Sequence, residues 1–166
     1  MPGRSSVVLI GLGNDLRHDD GIGLYAAGGV KEKQGDNIVA LIGIKDSAAL
    51  IERLLCGAKK AYIIDCTSSG AAPGTIYRFN TLTDEIPGDI FKGRSTHALD
   101  LEGSIRLARA LSGRIPDLII FGIEGKDFSF GRGFSDDVRK AADEVIGIIN
   151  SEINHRAGGD TGPSNE

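Results

Sequence analysis

Residues 11–23 read GLGNDLRHDDGIG, and this stretch decides the fold because it joins an apolar run, residues 7–10, to a helical pattern. A buried strand that ends in a glycine-rich turn commonly presents a ligand site at the carboxyl edge of an α/β sheet. This turn also carries Asp15, Asp19 and Asp20, whose charge would repel a pyrophosphate and attract a cation or a basic peptide. The loop is therefore predicted to be a metal or peptide site.

Dinucleotide binding is the main alternative for such a turn, but its fingerprint is incomplete. The third glycine of the fingerprint would fall at Leu16, and the first acid after the second predicted strand, Asp46, lies well beyond the required spacing of about 20 residues. The phosphate-binding loop that ends in Gly-Lys-Ser or Gly-Lys-Thr does not occur in the sequence. These features disfavour a nucleotide-dependent enzyme.

The composition is that of a globular protein. The chain has 166 residues, of which 40% are hydrophobic and 24 are glycine, and a formal net charge of −4. A chain of this length buries about 70% of its unfolded surface, which is enough for a core without metal or disulfide cross-links. The sequence shows no basic patch and no aromatic stacking platform, so nucleic-acid binding is not expected.

The cysteines and the first residues indicate the compartment. The chain has two cysteines, Cys56 and Cys66, and residues 1–6 lack the apolar core of a signal peptide. No apolar run approaches the roughly 20 residues of a membrane span. We therefore expect a cytoplasmic protein with free thiols and no membrane partner.

Short β-branched runs alternate with helical patterns, which is typical of an α/β fold with a mostly parallel sheet covered on both faces. The predicted strands are 6–12, 37–44, 61–65, 75–79 and 117–124. The predicted helices are 21–33, one from a cap at Asp46 or Ser47 to residue 56, 98–112, and a last helix capped by Ser135. One domain is expected over residues 1–155, with a disordered tail at 156–166 that lacks an apolar face.

Three polar side chains are expected to meet at the carboxyl edge of this sheet, where open α/β folds bind their ligands. Asp20 ends the first loop, Asp65 ends an otherwise apolar strand, and His97 lies near a predicted helix start. Two carboxylates and an imidazole suit a divalent ion such as zinc, nickel or manganese. Three protein ligands would also leave a coordination position open for a substrate.

Each of these side chains also has a simpler explanation. Asp20 is well placed to cap a helix, and His97 taken alone is more typical of a solvated or capping residue. Asp65 is harder to explain in this way, because a carboxylate beside a buried strand is costly unless it is paired, solvated or bound to a metal. Cys66 could act as a nucleophile if His97 lowered its pKa, but a cysteine at a buried strand end is more often a small apolar residue.

The order of these motifs resembles that of the nickel-iron hydrogenase maturation endopeptidases. The resemblance rests on the opening stretch 11–23, on Asp65, on a Ser/Thr-rich turn into His97, on the strand end 121–124, and on a glycine-rich approach to Ser135. It extends over about residues 7–149. The ordered combination is specific, although the opening glycines alone are not.

The resemblance implies a three-layer α/β/α fold and a protease that removes a short C-terminal extension from the hydrogenase large-subunit precursor after nickel insertion. Family members bind a divalent metal through an acid in the first loop, an aspartate after a strand and a histidine. These positions correspond to Asp20, Asp65 and His97. The first acid is glutamate in some members, so Asp19 could share the role of Asp20, and the choice between ligand and general base stays open.

These implications lead to a hypothesis in which the substrate completes the site. Nickel held in the precursor would dock onto Asp20, Asp65 and His97, so that cleavage waits for nickel and no tightly bound metal is required. The alternative is a metal-binding accessory or checkpoint protein of hydrogenase assembly, which would use the same three residues and leave its partner uncut.

The phenylalanines of the loop 125–134 suggest where the precursor tail could lie. Phe128, Phe130 and Phe134 would offer it apolar contacts along a groove, since aromatic residues are enriched at interfaces. The competing interpretation is that these rings cover the core.

Overall fold

A five-stranded sheet flanked by four α-helices forms the part of the chain that the computed structural model describes, residues 7–44, 46–87, 90–91 and 100–158. The strands are β1 Val7–Gly11, β2 Val39–Ile42, β3 Lys60–Thr67, β4 Ile76–Asn80 and β5 Asp117–Glu124. The helices are α1 Ile22–Gln34, α2 Ser47–Leu54, α3 Leu101–Ser112 and α4 Asp136–Gly158. Two short 3-10 helices, His18–Gly21 and Gly35–Asn37, flank α1.

The strands lie in the order β2-β1-β3-β5-β4. The first four are parallel, and β4 pairs antiparallel with β5 at one edge. Gly11 lies opposite Ile64 in the register of β1 and β3, and Asp65 lies opposite Gly122 in the register of β3 and β5. The mostly parallel sheet of about five strands is therefore confirmed.

Alternating side chains of the strands fill two separate cores. In β1, Val7 and Leu9 face the core that also contains side chains of α1 and α4. Val8 and Ile10 face the opposite core, together with side chains of α2 and α3. Because both faces of the sheet are covered, its inner strands are apolar almost throughout, and the expected three-layer α/β/α architecture is confirmed.

The chain order creates a crevice at the carboxyl ends of β1 and β3. The connection from β1 runs through α1 to β2 on one side, whereas β3 is reached through α2 on the opposite face and lies on the other side of β1. Such a topological switch point is where open α/β sheets bind ligands. The loop after β1 and the end of β3 carry the first two predicted site residues, Asp20 and Asp65.

Several predicted boundaries differ from the structure by a few residues. Strand β3 continues two residues beyond its predicted end, because Cys66 and Thr67 still pair with β5. Helix α4 continues to Gly158, past the predicted domain boundary at 155, and the rest of the predicted tail, 159–166, lies outside the described residues. No helix in the described ranges has the length and apolar character needed to cross a membrane.

The glycines of the opening stretch allow close backbone packing. A Cβ on Gly23 would overlap the carbonyl oxygens of Leu12 and Ile64, and one on Gly11 would lie 2.7 Å from the Gly23 oxygen. Helix α1 can therefore begin directly against the ends of β1 and β3. This requirement explains the glycine-rich turn without a bound phosphate.

Two alanine substitutions in α1 test this packing. Gly23→Ala should lower the free energy of unfolding by about 2–4 kcal/mol, because the added methyl group meets backbone that cannot move aside easily. Gly28→Ala is the matched control, since nothing lies within 4 Å of its added Cβ. That change should raise stability by about 0.5–1 kcal/mol through helix propensity. Urea denaturation would measure both values, and equal effects would contradict the packing argument.

Candidate active site

Two carboxylates interact electrostatically at the switch point between β1 and β3. Asp20 lies in the 3-10 helix that precedes α1, and Asp65 lies near the end of β3. The charge of Asp20 contributes to the raised pKa of Asp65, so the two groups interact electrostatically across the crevice. The third predicted residue, His97, lies outside the described residues.

Asp65 has an environment that favours its protonated form. Burial raises the pKa of its carboxyl from the usual 3.8 to about 7, and the neighbouring charge of Asp20 adds to this rise. One hydrogen bond opposes it, since the backbone N–H of Cys66 donates to Asp65 Oδ1 at 2.8 Å. Near neutral pH the carboxyl therefore holds a proton for part of the time, and a cation at this point would stabilise its charged form.

Cys66, the next residue, is a poor candidate for a nucleophile. Burial raises the pKa of its thiol, and the charges of Asp65 and Asp20 raise it further. The sulfur packs in the core beside α1 and α4 and contacts the Thr67 carbonyl oxygen at 3.7 Å. A thiol in these surroundings stays neutral, which favours its interpretation as a small core residue.

Asp19 is fully buried, and both of its carboxylate oxygens accept hydrogen bonds. The backbone N–H groups of Lys126 and Asp127 donate to Oδ2 at 2.9 and 2.8 Å. Ser135 donates its N–H to Oδ1 at 2.7 Å and its hydroxyl to Oδ2 at 2.8 Å. Burial alone would raise the pKa of Asp19, but these bonds outweigh it and hold the pKa below its usual value. The carboxylate is thus used for anchoring a distant segment, 125–135.

Further contacts join this segment to the loop 13–20, and the two are called the clamped loops below. His18 N donates to the Gly131 oxygen at 2.8 Å, and Gly131 N donates to the Leu16 oxygen at 2.9 Å. Arg132 Nη1 lies 2.9 Å from Asp15 Oδ2 in an exposed ion pair. The clamped loops therefore form one unit, which includes Asp20.

A second buried carboxylate, Glu124, organises the turn that follows β3. Its oxygens accept hydrogen bonds from Thr67 Oγ1 at 2.7 Å, from Ser69 N at 2.8 Å and from Gly70 N at 2.9 Å. The Ser69 hydroxyl adds a bond of 3.0 Å. Burial would raise the pKa of Glu124, yet these donors lower it. The turn after Asp65 is fixed by this carboxylate at the end of β5.

Sequence reasoning missed these two anchoring roles and part of the role of Ser135. Ser135 does precede α4, and its carbonyl accepts from Arg139 N at 3.0 Å, but its hydroxyl donates to Asp19. The sequence signal for an anchoring acid was its position in a glycine-rich stretch. Asp15, Asp19 and Asp20 all share that position. Sequence alone did not distinguish the anchor from its neighbours.

The three phenylalanines of the clamped loops have different surroundings. Phe128 is buried, and Phe134 packs against the ring of Tyr25 with centroids 5.3 Å apart. Phe130 is 84% exposed. Two rings therefore cover the core, and one is available to a partner.

Known proteins share part of this sequence and most of this fold. The family model for HycI hydrogenase maturation proteases matches residues 43–152. No curated protein sequence matches the chain. The structure of the [NiFe] hydrogenase maturation protease HybD from Thermococcus kodakarensis is 27% identical, with a TM-score of 0.66, over 89% of this chain and 98% of that one.

Two further solved structures support the fold. The hydrogenase maturating endopeptidase HybD from E. coli is 20% identical, with a TM-score of 0.70, over 90% of this chain and 93% of its own. The [NiFe] hydrogenase maturation protease HycI from Thermococcus kodakarensis KOD1 is 19% identical, with the same TM-score, over 92% and 95% of the two chains.

Asp19→Asn tests the anchoring carboxylate. We expect the free energy of unfolding to fall by about 3 kcal/mol at pH 7, because an amide offers one acceptor oxygen where Asp19 uses two. Since the pKa of Asp19 is lowered on folding, its contribution is present above pH 3.8 and is lost as the pH falls through the folded value. The difference between wild type and variant should therefore shrink in acid.

Asp15→Asn is the control, because it removes an exposed carboxylate from the same loop. Its effect should stay below about 1 kcal/mol. Urea titrations from pH 7 down to pH 3 would measure both variants. Equal losses for the two, or a loss for Asp19→Asn that does not change with pH, would contradict the anchoring role.

Proposed function

The chain belongs to the hydrogenase maturation protease family, and we propose that it removes the C-terminal extension of a nickel-iron hydrogenase large-subunit precursor once nickel has been inserted. Family membership makes the protein a hydrolase that cleaves peptide bonds. The 27% identical relative from Thermococcus kodakarensis is a [NiFe] hydrogenase maturation protease, which supports this choice of substrate. Cys56 and Cys66 are both free, as is usual in the cytoplasm, where we expect the protein to act.

The pairing of Asp20 with Asp65 is the observation that carries the proposal. Two carboxylates that repel each other in a partly dry crevice form a place where a divalent cation is stabilised. Carboxylate oxygens together with an imidazole suit nickel. In the described ranges, no three histidine, cysteine, aspartate or glutamate side chains cluster closely enough to hold a metal ion. The pair fits a metal that arrives with other ligands, as nickel in the precursor would.

His97 is proposed as the third group that meets the nickel. The described residues on either side of it are both fixed at the carboxyl edge of the sheet. The Ile90 oxygen accepts from Ser68 N at 3.2 Å, just after β3, and Asp100 N donates to Ser47 Oγ at 3.0 Å, at the start of α2. This placement of the flanking chain supports the assignment.

The proposed mechanism begins when the loaded precursor docks. Asp65 and Asp20 would hold its nickel, and Asp65 would release its proton to solvent when the cation docks. A divalent ion can polarise the scissile carbonyl or activate a water molecule, and a carboxylate beside it can accept a proton from that water. Cys66 remains a neutral thiol and does not attack the peptide bond. Nickel-free precursor lacks the cation, so it is not cut.

Mass spectrometry of the precursor tests the proposal. The cognate precursor, prepared with and without nickel, is incubated with wild type, with Asp65→Asn and with His97→Ala. Wild type should remove a C-terminal peptide from the loaded precursor alone, and both variants should slow this reaction at least 100-fold because a group that meets the metal is lost. Asp36→Asn, which changes an exposed aspartate outside the site, should cleave like wild type.

Two results would overturn the proposal. Equal cleavage of nickel-free and loaded precursor would remove the role of nickel, and cleavage by Asp65→Asn at the wild-type rate would remove the proposed site. A stable complex with loaded precursor and no change in its mass would support the checkpoint function instead.

A further inference from the structure

The clamped loops expose two large apolar side chains beside the proposed site. Phe130 is 84% exposed and Leu16 is 41% exposed. They lie on different loops, and a parallel backbone bridge between Arg17 and Gly131 aligns these loops. In the register of that isolated bridge, the residues one position earlier in each loop are Leu16 and Phe130. The two residues are therefore neighbours, and together they are called the apolar lip.

The backbone on both sides of Phe130 is fixed. The preceding ring, Phe128, is buried, and its carbonyl oxygen accepts from Arg17 Nε at 3.3 Å. The following residue, Gly131, exchanges two backbone hydrogen bonds with the opposite loop. An exposed aromatic ring on a fixed backbone loses little conformational entropy when a partner binds. Phe130 therefore loses less conformational entropy on binding than a ring on an unanchored loop would lose.

The lip is continuous with the site. Leu16 belongs to the same short loop as Asp20, and this loop is closed by bonds from Asp20 N to the Arg17 oxygen at 3.1 Å and from Asn14 N to the Asp20 oxygen at 3.3 Å. The exposed ion pair between Asp15 and Arg132 adds a polar border on the same two loops. An apolar centre with a polar rim is the usual arrangement of a binding surface.

We propose that the apolar lip binds an apolar side chain of the precursor's C-terminal extension and so presents the extension to Asp20 and Asp65. Two exposed side chains match one or two side chains of an extended peptide. The surface of two side chains is smaller than the roughly 800 Å² that each partner buries in a stable interface between folded proteins. The inference rests on the proposed function, because it assumes that the hydrogenase precursor is the substrate.

Binding measured with cleavage blocked tests the lip. Nickel-loaded precursor is immobilised through its N-terminus, and the protein carries Asp65→Asn throughout so that the extension stays attached. Adding Phe130→Ala should weaken binding about tenfold, and adding Leu16→Ala should weaken it about threefold. Leu111→Ala is the matched control, because Leu111 is 64% exposed on α3, outside the clamped loops, and should not change the affinity. The thermal midpoint of every variant checks that folding is retained.

A second precursor, in which serine replaces every apolar residue of the extension, identifies the occupant. On this precursor the penalty of Phe130→Ala should disappear, as a double-mutant cycle requires for two groups in contact. An unchanged affinity of Phe130→Ala for the normal precursor would overturn the inference. A penalty that persists on the serine precursor would overturn it as well, since the lip would then contact the body of the precursor.

Failure of the proposed function has a different signature. In that case the wild-type protein does not cleave the loaded precursor, whether or not it binds it, whereas failure of the lip alone leaves wild-type cleavage intact.

Discussion

Four hydrogen bonds to the buried carboxylate of Asp19 hold the site together. A carboxylate removed from water must be matched by donors or keep its proton, and Asp19 is matched by donors from the segment 125–135. These four hydrogen bonds therefore fix the segment 125–135 against the loop that follows β1. Glu124 applies the same principle to the turn after β3. Together the two carboxylates fix the surroundings in which Asp20 and Asp65 lie.

Asp65 represents the opposite case. It has the N–H of Cys66 as a donor, it is partly buried, and the charge of Asp20 acts on it. Among the described residues, Asp19 and Glu124 are buried acids that donors satisfy, whereas Asp65 is a partly buried acid whose charge is poorly satisfied. The satisfied acids confer rigidity, and the unsatisfied acid is available for a cation. This difference is the physical basis for proposing a protease whose site is completed by the nickel of its substrate.

The fold could be predicted from sequence because its signals are local. The apolar strands and the helix patterns lie in continuous stretches, and the switch point follows from the order of the elements. The proximity of Asp20 and Asp65 could also be predicted, since Asp20 lies in the loop after β1 and Asp65 lies near the end of β3, at the same edge of the sheet. The roles of Asp19 and Glu124 could not be predicted, because their donors are distant in sequence: Lys126 lies 107 positions from Asp19, and Thr67, at the end of β3, lies 57 positions from Glu124. Phe130 is exposed and Phe128 is buried, and this difference depends on tertiary packing, which the sequence pattern does not reveal.

Asp20 and Asp65 lie close enough in the free protein for the charge of one to raise the pKa of the other, and NMR titration of carbon-labelled aspartate side chains tests this interaction most directly. Asp65 should titrate with a pKa of about 7 in the wild type. In Asp20→Asn its pKa should fall, while staying above 3.8 because burial remains the larger cause. A wild-type pKa near 3.8, or the same raised value with and without the Asp20 charge, would contradict the account.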